Sequence, residues 1–156
     1  MVEIIPRLYV GNDQDYERLI GRDGWCFLRA CKYGAGGHQQ TLDYHTLAAP
    51  EGKNKYTVTR GNKLALNILD LDDPNFIPQS MIDEALSFIG DGLAEGKKVL
   101  VACNHGHSRG PTIALLYLRS IGEMPYSFVW AEKIYRTLYP EYDPAQGIRQ
   151  FARMRW

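Results

Sequence analysis

The chain has 156 residues, with 18 basic and 18 acidic side chains and 45% hydrophobic residues. That length holds one domain with a core of its own, and the balanced charge excludes a chain built mainly to coat nucleic acid or an anionic membrane. The balance hides an asymmetry: residues 1–96 carry 9 basic and 14 acidic groups (net −5) and residues 97–156 carry 9 and 4 (net +5), so an anion site is to be sought in the second part.

Other classes fall away on pattern. No run of 18 apolar residues is present to span a bilayer, and Met1-Val2-Glu3-Ile4-Ile5-Pro6 lacks the basic-then-apolar order of a secretory signal. Cys26, Cys31 and Cys103 are too few for a disulfide framework and fit a reducing interior. The expectation is a cytoplasmic, monomeric domain over residues 1–156 that needs no membrane.

In chain order, Glu3 to Gly11 reads as extended, with Pro6 at an edge or turn. Asn12 or Asp13 caps a helix carrying Tyr16, Leu19 and Ile20, which Gly21 or Gly24 ends. Trp25 to Leu28 is a short buried strand. From 31 to 62 the chain is rich in Gly, His, Tyr and Lys with no sustained period, and is expected to be a long irregular insertion, a lid or a cover for a short element. Lys63 to Leu69 is a strand running into the acidic turn Asp70-Leu-Asp-Asp-Pro74. Pro78 opens a helix whose stripe is Met81, Ile82, Ala85, Leu86, Ile89 and Leu93. Lys97 to Ala102 is a central strand, Thr112 to Leu118 a buried helix, and two further helices lie near 126–138 and 144–154. The aromatic-rich tail (Tyr126, Phe128, Trp130, Tyr135, Tyr139, Tyr142) reads as core packing, and Trp156 has no assignable role. Strands alternating with helices give an α/β fold: a central, mainly parallel mixed sheet flanked by helices.

The chemistry concentrates in Val99-Leu-Val-Ala-Cys103-Asn-His-Gly106-His-Ser-Arg109-Gly-Pro-Thr112. A strand delivers Cys103, a tight loop turns around Gly106, and a helix starts at an arginine. The N–H groups of such a loop and the helix N-terminus form an anion nest. Cys103 at its base is expected to be a thiolate able to attack phosphorus. Arg109 offers a planar fork for two phosphoryl oxygens, and the backbone of Asn104, His105, Gly106, His107 and Ser108 completes the cradle.

Cys103-x5-Arg109 with Gly106 resembles the signature loop of the cysteine-dependent protein tyrosine phosphatases, in particular the dual-specificity group. Ile5-Pro-Arg-Leu-Tyr-Val-Gly11, Ala85-Leu-Ser-Phe-Ile89, Gly96-Lys-Lys-Val-Leu-Val101 and Ser108-Arg-Gly-Pro-Thr112 are similar to that group's other landmarks. The resemblance implies a phosphorylated protein as substrate, carrying phosphotyrosine with phosphoserine or phosphothreonine, and no cofactor or metal. It also implies a carboxyl that protonates the leaving oxygen and later activates water. Laid without gaps from Phe88-Ile89, that acid falls on Asp72, with Asp73 and then Asp70 as alternatives in the same turn.

Two positions depart from the family pattern. Ala102 stands where histidine is usual, and Gly110 where a Ser or Thr hydroxyl would bond the sulfur, which is expected to slow dephosphorylation. Ser108 or Thr112 are the candidate substitutes. The rival reading is a phosphate-binding module that does not turn its ligand over. An RNA 5′-end phosphatase is a third, since His105 resembles that branch while Arg109-Gly-Pro does not. The histidines are expected to rim the pocket rather than hold a metal with Cys31, His38 and His45. Cys26 and Cys31 are expected to be inert, with pairing to the nucleophile under oxidation as the alternative.

Overall fold

A computed structural model describes residues 1–156. Six strands form one sheet: β1 (Val2–Ile5), β2 (Leu8–Gly11), β3 (Trp25–Arg29), β4 (Thr57–Arg60), β5 (Lys63–Leu66) and β6 (Lys98–Ala102), in the order β1-β2-β6-β3-β5-β4. The inner four are parallel, and β1 and β4 close the edges antiparallel. The helices are α1 (Asp13–Leu19), α2 (His38–Leu42), α3 (Gln79–Ala94), α4 (Arg109–Ser120), α5 (Phe128–Leu138) and α6 (Gln146–Arg155). The architecture is the α/β arrangement expected from the sequence.

β6 is central because both of its faces are covered. Val99 and Val101 point into the larger core with α3 to α6, while Leu100 and Ala102 point to the smaller cluster with Tyr16, Leu19, Trp25 and Phe27 beside α1. This fixes the strand end at Ala102 and hands Cys103 to a defined place. Of the aromatic tail, Phe128, Tyr135, Tyr139 and Tyr142 are core residues, whereas Tyr126 and Trp130 are exposed. Trp156 packs edge-on against Phe128 and its indole N–H donates to Pro125 O (3.0 Å).

The segment expected to be irregular contains α2 and β4. It is anchored by His38, whose ring is fully buried with Nδ1 3.0 Å from Tyr44 Oη and Nε2 2.8 Å from Asn54 O. Both ring nitrogens are thereby occupied, which removes His38 from any metal set. Burial, aided by the charge of Lys32 and opposed by the Asn54 carbonyl, pushes its pKa below the ordinary value. A depressed histidine pKa means that the unfolded chain takes up the proton first. The stability it contributes is complete above about pH 6.5 and is lost as pH falls below that value. Amide protection factors across 31–55, taken against the intrinsic exchange rate at each pH, should therefore fall on acidification in the wild type, and His38→Gln should abolish that pH dependence. An acid-insensitive wild-type segment would contradict the assignment.

Candidate active site

Cys103 follows β6, and Arg109 is the first residue of α4. Between them Gly106 has φ +77°, a left-handed conformation that L side chains rarely adopt. A Cβ there would also press on Gly11 O at 3.1 Å. Tyr139 Oη donates to Gly106 O (2.7 Å), and burial keeps that phenol protonated by pushing its pKa up. His107 Nδ1 lies 3.1 Å from Glu141 O.

None of the backbone N–H groups from Asn104 to Ser108 is bonded within the chain. Ser108 precedes α4 yet does not cap it, because its Oγ donates to Asp70 Oδ1 (2.8 Å) and accepts from the N–H of Ala145 (2.9 Å). The loop and the helix start therefore present a run of unpaired donors, the condition for an anion site.

Arg109 is almost wholly buried, and its guanidinium has fixed neighbours. Nη1 donates to Ile68 O (3.3 Å) and Nη2 to Asn104 Oδ1 (2.8 Å). Nε is 3.1 Å from Asp70 Oδ2, but the N–H is not aligned with that oxygen and makes no hydrogen bond. A buried donor without a hydrogen bond is costly unless a ligand accepts from it.

These groups surround one cavity of ≈ 290 Å³, lined by Asp70, Cys103, His105, His107, Ser108 and Arg109 together with Asp143, Pro144 and Ala145. Cys103, Arg109 and the histidines meet there. Asp72, the first choice for the acid, is not among the lining residues, whereas Asp70, the third alternative in the same turn, is; both are exposed. Asp70 lies four residues past the end of β5, and its carboxylate is held at the cavity by Ser108 and Arg109. Asp73 instead caps the short 3-10 turn Pro74–Phe76 by accepting from Asn75 N (2.9 Å).

The family described as "Dual specificity phosphatase, catalytic domain" matches residues 36–135. The chain belongs to the dual-specificity phosphatase family. It is 29% identical over 96 residues to human dual specificity protein phosphatase 12, a match covering 50% of this chain and 28% of that protein. It is 36% identical over 76 residues to dual specificity protein phosphatase PHS1 of Arabidopsis thaliana, covering 47% of this chain and 8% of that protein. These matches span less than a third of either relative's length.

In fold this phosphatase domain is similar to human DUSP28 (TM-score 0.69, 17% identity, 99% of this chain and 94% of that one). It is also similar to the human tyrosine phosphatase-like serine/threonine/tyrosine-interacting protein (TM-score 0.67, 19% identity, 99% and 94%). The hydroxyls considered as substitutes for the one missing at Gly110 are engaged elsewhere, since Thr112 Oγ1 donates to Ser108 O (2.7 Å) and Ser108 is bound as above. A Cβ at position 110 would stand 3.1 Å from Cys103 N, so α4 starts closer to the strand end than a serine there would readily permit. Cys26 and Cys31 are buried, and burial pushes both thiols up, which suits unreactive core cysteines.

Proposed function

We propose that this domain hydrolyses phosphoric monoesters of tyrosine, and of serine or threonine, in proteins, with Cys103 as nucleophile, Arg109 and the Asn104–Ser108 backbone as the phosphoryl cradle, and Asp70 as acid and then base. The observation that carries the reading is the set of unpaired donors in the segment that follows Cys103 and shares its cavity: the N–H groups of the loop and the Arg109 Nε–H. A tetrahedral oxyanion satisfies them, and they stabilise the charge that develops on its oxygens during transfer.

In the first step the sulfur attacks phosphorus, the bond from phosphorus to the leaving oxygen breaks, and Asp70 gives that oxygen a proton. In the second step water attacks the cysteinyl phosphate, Asp70 takes its proton, and the S–P bond breaks. No hydroxyl bonds the departing sulfur. The absence of one charge-assisted hydrogen bond of about 1.5–3 kcal/mol slows this step by about one to two decades.

Protein substrates are favoured by the surface around the pocket. Pro144 also lines an open groove along α6 in which Arg153 is available to an acidic segment, Arg149 being paired with Glu132 (2.6 Å). The second reading, a binder that does not turn over, is favoured by Gly110 and by the commitment of both nearby hydroxyls. Hydrolysis of an aryl phosphate in the presence of chelator separates the two. Sustained, chelator-resistant release of aryl alcohol supports the enzyme, and phosphopeptide binding without release supports the binder. The acid assignment has its own test: Asp70→Asn should lower kcat for an alkyl phosphate by about 10² to 10⁴, the range of general acid catalysis, with Asp72→Asn close to wild type. The reverse ranking would return the role to Asp72.

A further inference from the structure

We propose that Asp13, held by the buried Arg29, positions the guanidinium of Arg109 through the side chain of Asn104. The inference rests on the phosphatase reading and assigns residues outside the pocket a part in it.

An arginine that must offer two parallel donors to a phosphoryl group needs its plane fixed. Asn104 Oδ1 accepts from Nη2 of Arg109 (2.8 Å), which holds one side of that plane. Asn104 can present its oxygen there only if its amide nitrogen faces away, and acceptors alone lie on that other side. Nδ2 donates to Asp13 Oδ2 (3.2 Å), with Oδ1 at 3.4 Å, and to Tyr33 O (3.0 Å). The amide is therefore oriented by its surroundings.

Asp13 is held in turn. Its carboxylate accepts from Nη2 of Arg29, a side chain with no exposed surface. The Arg29 guanidinium lies over the Tyr16 ring, 4.6 Å from its centroid, and its Nε donates to Ala35 O (2.9 Å). The backbone joins the same two elements. Asn12 and Asp15 form a capping box that leaves the Asp13 N–H free, and it donates to Asn104 O (3.2 Å).

The result is an alternation of cation, anion, amide and cation from Arg29 to Arg109. The negative charge of Asp13 polarises the Asn104 amide so that Oδ1 becomes a better acceptor for Arg109. It also neutralises Arg29, which would otherwise stand as a buried, unpaired charge behind the loop. Asp13 and Arg29 are positioning residues, since neither lines the cavity.

The test measures the affinity of the folded chain for inorganic tungstate by calorimetry, which reads the oxyanion cradle with or without turnover. Asp13→Asn and Asn104→Leu are each made in the wild-type and in the Arg109→Lys background. Each is expected to raise Kd about tenfold or more in the wild type, the scale of one charge-assisted hydrogen bond. Asp13→Asn and Asn104→Leu combined in one chain should bind no more weakly than the poorer of the two single variants, and neither change should cost anything further once Arg109 is lysine. An equal cost in both backgrounds would mean a merely structural role and would overturn the proposal. So would wild-type affinity in a folded Asn104→Leu protein. If Asp13→Asn does not fold, Asn104→Leu decides alone, because it leaves the Arg29–Asp13 pair intact. A wild-type protein that binds no tungstate would defeat the phosphatase reading itself, whereas tight binding unchanged in the variants defeats only the relay.

Discussion

Cys103→Ser is expected to lower aryl phosphate turnover by on the order of 10⁴ or more, because a serine hydroxyl without an activating base is a poor nucleophile at neutral pH. In the first step Asp70 serves as the acid for the leaving oxygen, so it is not available to take the proton of a serine hydroxyl. The substitution leaves the unpaired loop N–H groups and Arg109 in place, so affinity for inorganic phosphate should be retained within a few-fold. That separation of turnover from binding is the signature of a lost nucleophile rather than a collapsed loop. Retention of turnover in Cys103→Ser would show that phosphorus is attacked by something else.

Arg109→Lys is expected to cost about 10² to 10³ in kcat/KM, the range seen when an oxyanion-stabilising donor is removed. Charge is conserved in this substitution, so the loss measures geometry. The guanidinium reaches Ile68 O, Asn104 Oδ1 and the edge of Asp70 at once, from a buried position in which Nε–H makes no hydrogen bond. An ammonium is a point charge on a flexible stem and cannot keep this plane. Inhibition by inorganic phosphate should weaken in parallel, since the same donor meets ground state and transition state. A lysine variant with wild-type kcat/KM would remove Arg109 from the cradle.

Cys103, Gly106 and Arg109 were legible in the sequence because strand, nucleophile, loop and helix are contiguous, and contiguity fixes geometry. The order of strands and helices was legible for a related reason: β6 and α3 show their faces as runs and stripes long enough to read. α2 was not, because its five residues have no amphipathic period, and what holds it is the tertiary bonding of His38 to Tyr44 and Asn54. β4 was hidden because it is an edge strand with only Thr57 and Val58 buried.

Within the acidic turn, the carboxylate that lines the pocket, Asp70, stands two positions before the one the sequence favours, Asp72. Asp70, Asp72 and Asp73 are equivalent as residue types, and only the path of the chain after β5 selects among them. Arg29 illustrates the limit further. It ends an apolar run and reads as a strand terminus, yet it is fully buried against Asp13, a partner sixteen positions earlier that no local pattern announces.

The measurement that reaches furthest is a rapid-quench experiment with an aryl phosphate in excess over the enzyme. The expected result is a burst of aryl alcohol equal to the enzyme present, a slower steady state set by the missing hydroxyl at Gly110, and a phosphoryl group recovered on the peptide containing Cys103. Turnover with no phosphorylated cysteine, or a phosphoryl group on any other residue, would contradict it.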